Sequence, residues 1–130
     1  MRTEQELRDT IKRNPFAQSI GMELLDAGED RARARIRLQP QLENIYGGVH
    51  GGCAFALADT IAGIAASMRG AYVTTLQASM NYMRPVIQTE YLYCEAVIQR
   101  SGGKISVVRT ELTDDSGSLL IDGSFTYYHM

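Results

Sequence analysis

NIYGGVHGGCAFALADTIAGIAASM, residues 44–68, sets four glycines around one histidine and then runs into a nearly all-apolar stretch with one aspartate inside it. The apolar part, Cys53 to Met68, is interrupted by Asp59, Thr60 and Ser67 and is 16 residues long. That is too short for the roughly 20 residues a bilayer span needs, but it makes a helix about 24 Å long. Being apolar around nearly its whole circumference and rich in Ala and Gly, it predicts a helix that something wraps rather than touches on one face. A curved sheet is the natural wrapper.

The flanking chain supplies that sheet. Downstream, residues 72–83, 89–100, 104–113 and 118–128 are strand-like runs separated by Arg84-Pro85, Ser101-Gly102-Gly103 and Asp114-Asp115-Ser116-Gly117. Alternation assigns inward faces to Leu76, Ala78, Met80 and Tyr82 in the first run and to Leu92, Cys94, Ala96 and Ile98 in the second. Val108 and Leu112 continue the face in the third, and Leu119, Ile121, Phe125 and Tyr127 in the fourth. Upstream, a strand opens with Met22-Glu23-Leu24-Leu25, and RARARIRL, residues 31–38, alternates Arg with Ala, Ile and Leu as a strand with one wet face. Residues 3–13 place Leu7 and Ile11 at i and i+4 among charges and stop before Asn14-Pro15, which predicts a short amphipathic helix. The order is helix, two strands, long helix, four strands. It predicts an α+β fold in one domain, residues 1–130, with a single antiparallel sheet around one helix.

A formal charge of -2 lacks the positive field that nucleic-acid binding needs, and the arginine stripe at 31–37 is read as a solvated strand face. The charged N-terminus has no apolar core of a signal peptide, so a cytoplasmic protein without membrane association is expected. Cys53 and Cys94 stand 41 positions apart with no CxxC and no histidine pair, so they are read as small core residues and no metal site is spelled out.

Glycines before a helix let a backbone approach a ligand closely, while the unpaired first-turn N–H groups present the positive end of the helix dipole. Such a seat suits a phosphate or the developing oxyanion of an attacked acyl group. No lysine follows the glycines as in a P-loop, and GGVHGG has the wrong spacing for a dinucleotide fingerprint, which favours the acyl reading. Asp59, two turns into the helix, is either a hydrogen-bonded core carboxylate or a general base or nucleophile. His50 is expected to orient its loop rather than transfer protons, and Asn44 to cap the loop or position a water.

The pattern Asn44-x-x-Gly47-x-x-His50-Gly51-Gly52, followed by Leu57-Ala58-Asp59 and later by Asn81-Tyr82-Met83-Arg84-Pro85, resembles the hotdog-fold acyl-CoA thioesterases of the phenylacetic-acid-degradation type. The resemblance runs from about residue 14 to the C-terminus. It implies a hotdog fold, dimers joined edge to edge through their sheets and pairing into tetramers, and active sites at the dimer interface. It gives Asp59 the role of general base or nucleophile, Asn44 that of positioning the lytic water or thioester, and the Gly51 N–H that of polarising the thioester carbonyl. His50 shapes that loop, and Thr75 is a hydroxyl contributed from the partner subunit that helps orient water. Apart from the resemblance, Gly52, Tyr82 and Arg84 are read as substrate-binding residues. The resemblance implies no cofactor. The expected activity is hydrolysis of an acyl- or aryl-CoA; the alternatives are a hotdog protein that binds acyl-CoA without turning it over and a purely structural dimer. Arg69, Arg84, Arg100 and Lys104 are available for CoA, and Phe55, Tyr72, Met80, Tyr82 and Met83 for an apolar pocket.

Overall fold

The computed structural model describes residues 1–70 and 72–130. The chain forms α1 (Glu4–Lys12), α2 (Pro15–Ser19), β1 (Glu23–Gly28), β2 (Arg31–Arg37), a 3-10 turn (Pro40–Leu42), α3 (Gly51–Ser67), β3 (Val73–Tyr82), β4 (Tyr91–Ser101), β5 (Ile105–Thr113) and β6 (Leu119–His129). All six strands join one antiparallel sheet in the order β1-β2-β4-β5-β6-β3, so β1 and β3 are its edges. α3 lies across the inner face against β2, β3, β4, β5 and β6. This is the helix-in-a-sheet arrangement that the sequence predicts. Among the described residues no helix is long and apolar enough to cross a membrane.

Small residues on the inner face let the helix approach closely. Ala32, Ala34 and Ala96 are fully buried beneath α3, whose Leu57, Ala58, Ile61 and Ala62 are buried in turn. Larger side chains fill the centre of the sheet: Leu92, Val108, Leu112, Ile121 and Phe125, the last with its ring centroid 5.4 Å from that of Phe55. Each such side chain contributes about 1.5–3 kcal/mol by burial. On the outer face, Arg31 and Arg33 pair with Asp26 at 3.3 and 3.2 Å, and Arg37 with Glu90 at 3.0 Å. Arg35 pairs with Glu23 and lies over the ring of Tyr91 at 4.0 Å. The stripe is therefore neutralised by its neighbours and is a solvated strand face, as the alternation implies.

Thr3 caps α1 in a reciprocal capping box with Glu6, and Leu7 and Ile11 are its buried residues. Asn14-Pro15 ends α1 as expected but also begins a helix absent from the sequence reading: the Asn14 side chain accepts the Ala17 N–H at 3.1 Å with Pro15 in the first turn of α2. α3 starts two residues before Cys53, with Gly51 and Gly52 inside its first turn.

Two expectations need correction. The helix is not wrapped all round: Gly52, Ala56, Asp59, Thr60, Gly63 and Ser67 form a stripe that the sheet leaves wholly or partly open. In β3, a bulge between Thr75 and Gln77 shifts the alternation by one, so Leu76 is not an inward residue but is 56% exposed. Past the bulge the inward parity of Ala78, Met80 and Tyr82 holds, although Tyr82 is 50% exposed.

Candidate active site

His50 is the N-cap of α3. Its Nδ1 accepts the Gly52 N–H at 2.8 Å, which leaves the proton of the neutral ring on Nε2. Its carbonyl accepts the N–H groups of Cys53 and Ala54 at 2.9 and 3.2 Å. Among the described residues this leaves Gly51 as the first-turn amide without an acceptor, at the positive end of a 17-residue helix. A Cβ at position 52 would stand 3.1 Å from His50 Nδ1, so glycine there keeps the cap closed. His50 thus orients the loop, as expected of it.

Asn44 holds the same loop. Its Oδ1 accepts from the N–H groups of Tyr46 and Gly48 at 2.8 and 3.2 Å, and its own N–H donates to the Gly48 carbonyl at 2.7 Å. The carboxamide oxygen is taken up in the turn, so the side-chain N–H₂ is the group Asn44 can offer to a ligand. Asn44, Gly51, Tyr82, Met83 and Arg84 line one cleft of about 310 Å³. The Tyr82 hydroxyl donates to the Gly51 carbonyl at 2.9 Å, and burial raises its phenol pKa, which keeps it a donor.

Asp59 stands two turns further along α3 and is half-buried rather than enclosed. Its Oδ1 accepts two hydroxyls, Thr75 Oγ1 at 2.8 Å and Tyr127 at 2.9 Å. Thr75 and Tyr127 are directly opposed on β3 and β6, so one cross-strand pair delivers both donors to the helix. The bulge follows immediately after Thr75. Thr75 therefore meets Asp59 within one chain and needs no partner subunit to do so. Asp59, Thr75 and Tyr127 line a second cleft of about 260 Å³, which continues past Gly63 and Ile64 to Tyr72.

The chain thus gathers Asn44, Gly51, Tyr82 and Arg84 in one cleft, with Gly52 and His50 forming the cap beside it, and Asp59 and Thr75 in another. It does not bring the two sets together. Tyr127 is the site residue that sequence reasoning missed: alternation places it on the inner face, but only the register of β3 against β6 shows its hydroxyl reaching Asp59. A buried tyrosine's need for a polar partner is the one sequence hint of it. Of the other expected contacts, Arg69 is engaged with Asp30 at 3.1 Å and Glu29 at 3.8 Å. Phe55 and Met80 pack against the core and line neither cleft. Burial pushes the thiol pKa of Cys94, and to a lesser degree of Cys53, upward, so neither is an activated nucleophile.

The family model of the thioesterase superfamily matches residues 46–121, a span that contains Gly51, Asp59 and Thr75. The chain belongs to the thioesterase superfamily. Among curated relatives, a candidate esterase of Deinococcus radiodurans is 28% identical over 97 residues, covering 75% of this chain and 66% of the relative. A candidate esterase of Mycobacterium tuberculosis is 27% identical over 115 residues, covering 84% and 81%. Among solved structures, the PaaI protein from the phenylacetic acid degradation operon of E. coli superposes with a TM-score of 0.92 at 19% identity, covering 97% of this chain and 91% of that one. The thioesterase HI1161 of Haemophilus influenzae does so with a TM-score of 0.90 at 25% identity, covering 100% and 92%. This superfamily member has the hotdog fold, and its enzyme class is thioester hydrolase.

Proposed function

We propose that two copies of this chain assemble active sites that hydrolyse the thioester of an acyl- or aryl-CoA to the free acid and CoA. The observation that carries this reading is the separation of the two half-sites within one chain. The free Gly51 N–H and the Asp59 carboxylate open into different clefts and start from backbone positions about 12 Å apart along α3. A C=O bond is about 1.2 Å long, so one chain does not both polarise a carbonyl oxygen at Gly51 and deliver water to its carbon from Asp59. A two-fold pair of antiparallel helices brings the Gly51 end of one copy to Asp59 of the other. The edge strand β3, with Leu76 exposed beside it, offers the surface through which two sheets join.

In this site the thioester oxygen accepts the Gly51 N–H, and the helix dipole stabilises the negative charge that grows on it during attack. Asp59 of the other copy takes a proton from water as the water oxygen bonds to the carbonyl carbon; collapse of the tetrahedral intermediate then breaks the carbon–sulfur bond, and the CoA thiolate takes up the proton held by Asp59. In the alternative route Asp59 attacks the carbon itself, the departing thiolate leaves an acyl-aspartyl anhydride, and water hydrolyses that anhydride to the free acid and supplies the proton for the thiolate. The Asn44 N–H₂ orients the water or thioester. Arg84, which has no carboxylate within 4 Å among the described residues, suits a phosphate of CoA.

The test is release of free thiol from short, medium, long-chain and aryl-CoA substrates by the parent and by Asp59→Asn. The reading expects turnover by the parent and a fall of roughly 10²–10⁴-fold in the variant with fold and dimer intact. Acyl-CoA binding by the parent without turnover of any substrate makes the protein a binding module instead. Equal turnover by both proteins removes Asp59 from the mechanism.

A further inference from the structure

Tyr127 is 2% exposed, and its ring stacks on Phe125 with centroids 6.3 Å apart. Its hydroxyl lies 2.9 Å from Asp59 Oδ1 and 2.6 Å from the Asp59 main-chain oxygen. A phenol has one proton, so these two acceptors share it. The ring reaches this place beside Gly63, where a Cβ would be 3.5 Å from its edge. Burial and the neighbouring Asp59 charge hold the phenol pKa far above its ordinary value, so the hydroxyl is a permanent donor. Nothing in packing alone requires a hydroxyl here, since Phe125 two residues earlier serves the same inner face without one.

We infer that Tyr127 is a positioning residue for Asp59: with Thr75 it saturates Oδ1 and leaves Oδ2 as the oxygen that acts on water or substrate. This rests on the reading of Asp59 given above. The shared proton suits a base that changes charge. While Asp59 is ionised, the phenol proton is drawn toward Oδ1 and, with the Thr75 hydroxyl, fixes the carboxylate plane. When Oδ2 takes a proton from water, Oδ1 loses most of its charge and the phenol proton turns to the main-chain oxygen. No buried group is left unpaired at either stage, so little rearrangement accompanies the proton transfer.

Asp59 Oδ1 has two hydroxyl donors, and removing the buried one frees the carboxylate plane to rotate away from the reacting atoms, so turnover falls while substrate binding does not.

The experiment compares the parent, Asp59→Asn and Tyr127→Phe as full-length protein, with kcat and KM for an acyl-CoA measured and melting followed alongside. Phenylalanine keeps the ring and its stacking. The inference expects Tyr127→Phe to melt near the parent and to lose roughly 10–100-fold in kcat with KM nearly unchanged. A Tyr127→Phe protein with the parent's kcat, beside an inactive Asp59→Asn, overturns the inference and leaves the proposed function standing. Full activity in Asp59→Asn overturns both. Should Tyr127→Phe melt too early to assay, 3-fluorotyrosine placed at position 127 keeps the ring and donates more strongly, and it is expected to change kcat with KM nearly unchanged; the parent's kcat then overturns the inference.

Discussion

The first turn of α3 and its middle belong to one helix yet present opposite chemistry. At Gly51 the helix offers an uncommitted N–H and positive potential beside Asn44 and Tyr82, whose side-chain oxygens are engaged in holding the loop. At Asp59 it offers negative charge gripped by two hydroxyls from the sheet. Under the proposed function each region is equipped for half of a hydrolysis: one would polarise an acyl oxygen and the other would activate what attacks the carbon. Within one chain they face different clefts, so the proposed unit of function is larger than the unit of fold.

Substitution at the Gly51 end gives the strongest way to break this comparison. Proline suits the first helical position, and His50, with φ -58° and ψ 134°, already has the extended backbone a following proline demands. A Cβ at position 51 would lie 3.5 Å from the Tyr82 ring, an ordinary contact. Gly51→Pro is therefore expected to fold and dimerise while lacking only the N–H, and kcat is expected to fall roughly 10²–10³-fold in the thiol-release assay. Parental activity in that variant would dissociate the helix start from the reaction.

A smaller effect is expected from the edge strand that is to join the halves. Leu76 contributes little to its own chain's core, so Leu76→Asp is expected to leave secondary structure intact while weakening the dimer at least tenfold, roughly. Sedimentation and activity should then depend together on protein concentration. A variant that remains dimeric at high dilution places the interface elsewhere.

How legible each region was in sequence follows from how local its physics is. β2 was fully legible, because RARARIR pairs in register along its length with β4 and its alternation survives intact. β3 was not, because one extra residue at the bulge reverses the parity between Thr75 and Ala78, and no composition marks where a strand will bulge. The helix dipole, the His50 cap and the free Gly51 N–H arise from consecutive residues and could be anticipated. The grip on Asp59 arises from residues 59, 75 and 127 meeting across two strands and a helix, so Thr75 entered only through a family resemblance and Tyr127 only as an inward strand residue. The short α2 was hidden for a simpler reason: Asn-Pro ends one helix and caps the next with the same two residues.

The most direct test of a site shared between two copies is complementation. Asp59→Asn and Gly51→Pro dimers, each inactive alone, are mixed, allowed to exchange subunits and assayed for thiol release. A site drawn from two chains predicts recovery to about a quarter of parental activity, because half of the dimers are mixed and each mixed dimer carries one intact site out of two. No recovery, with mixed dimers demonstrably formed, would contradict the account and place Gly51 and Asp59 in the same chain's chemistry.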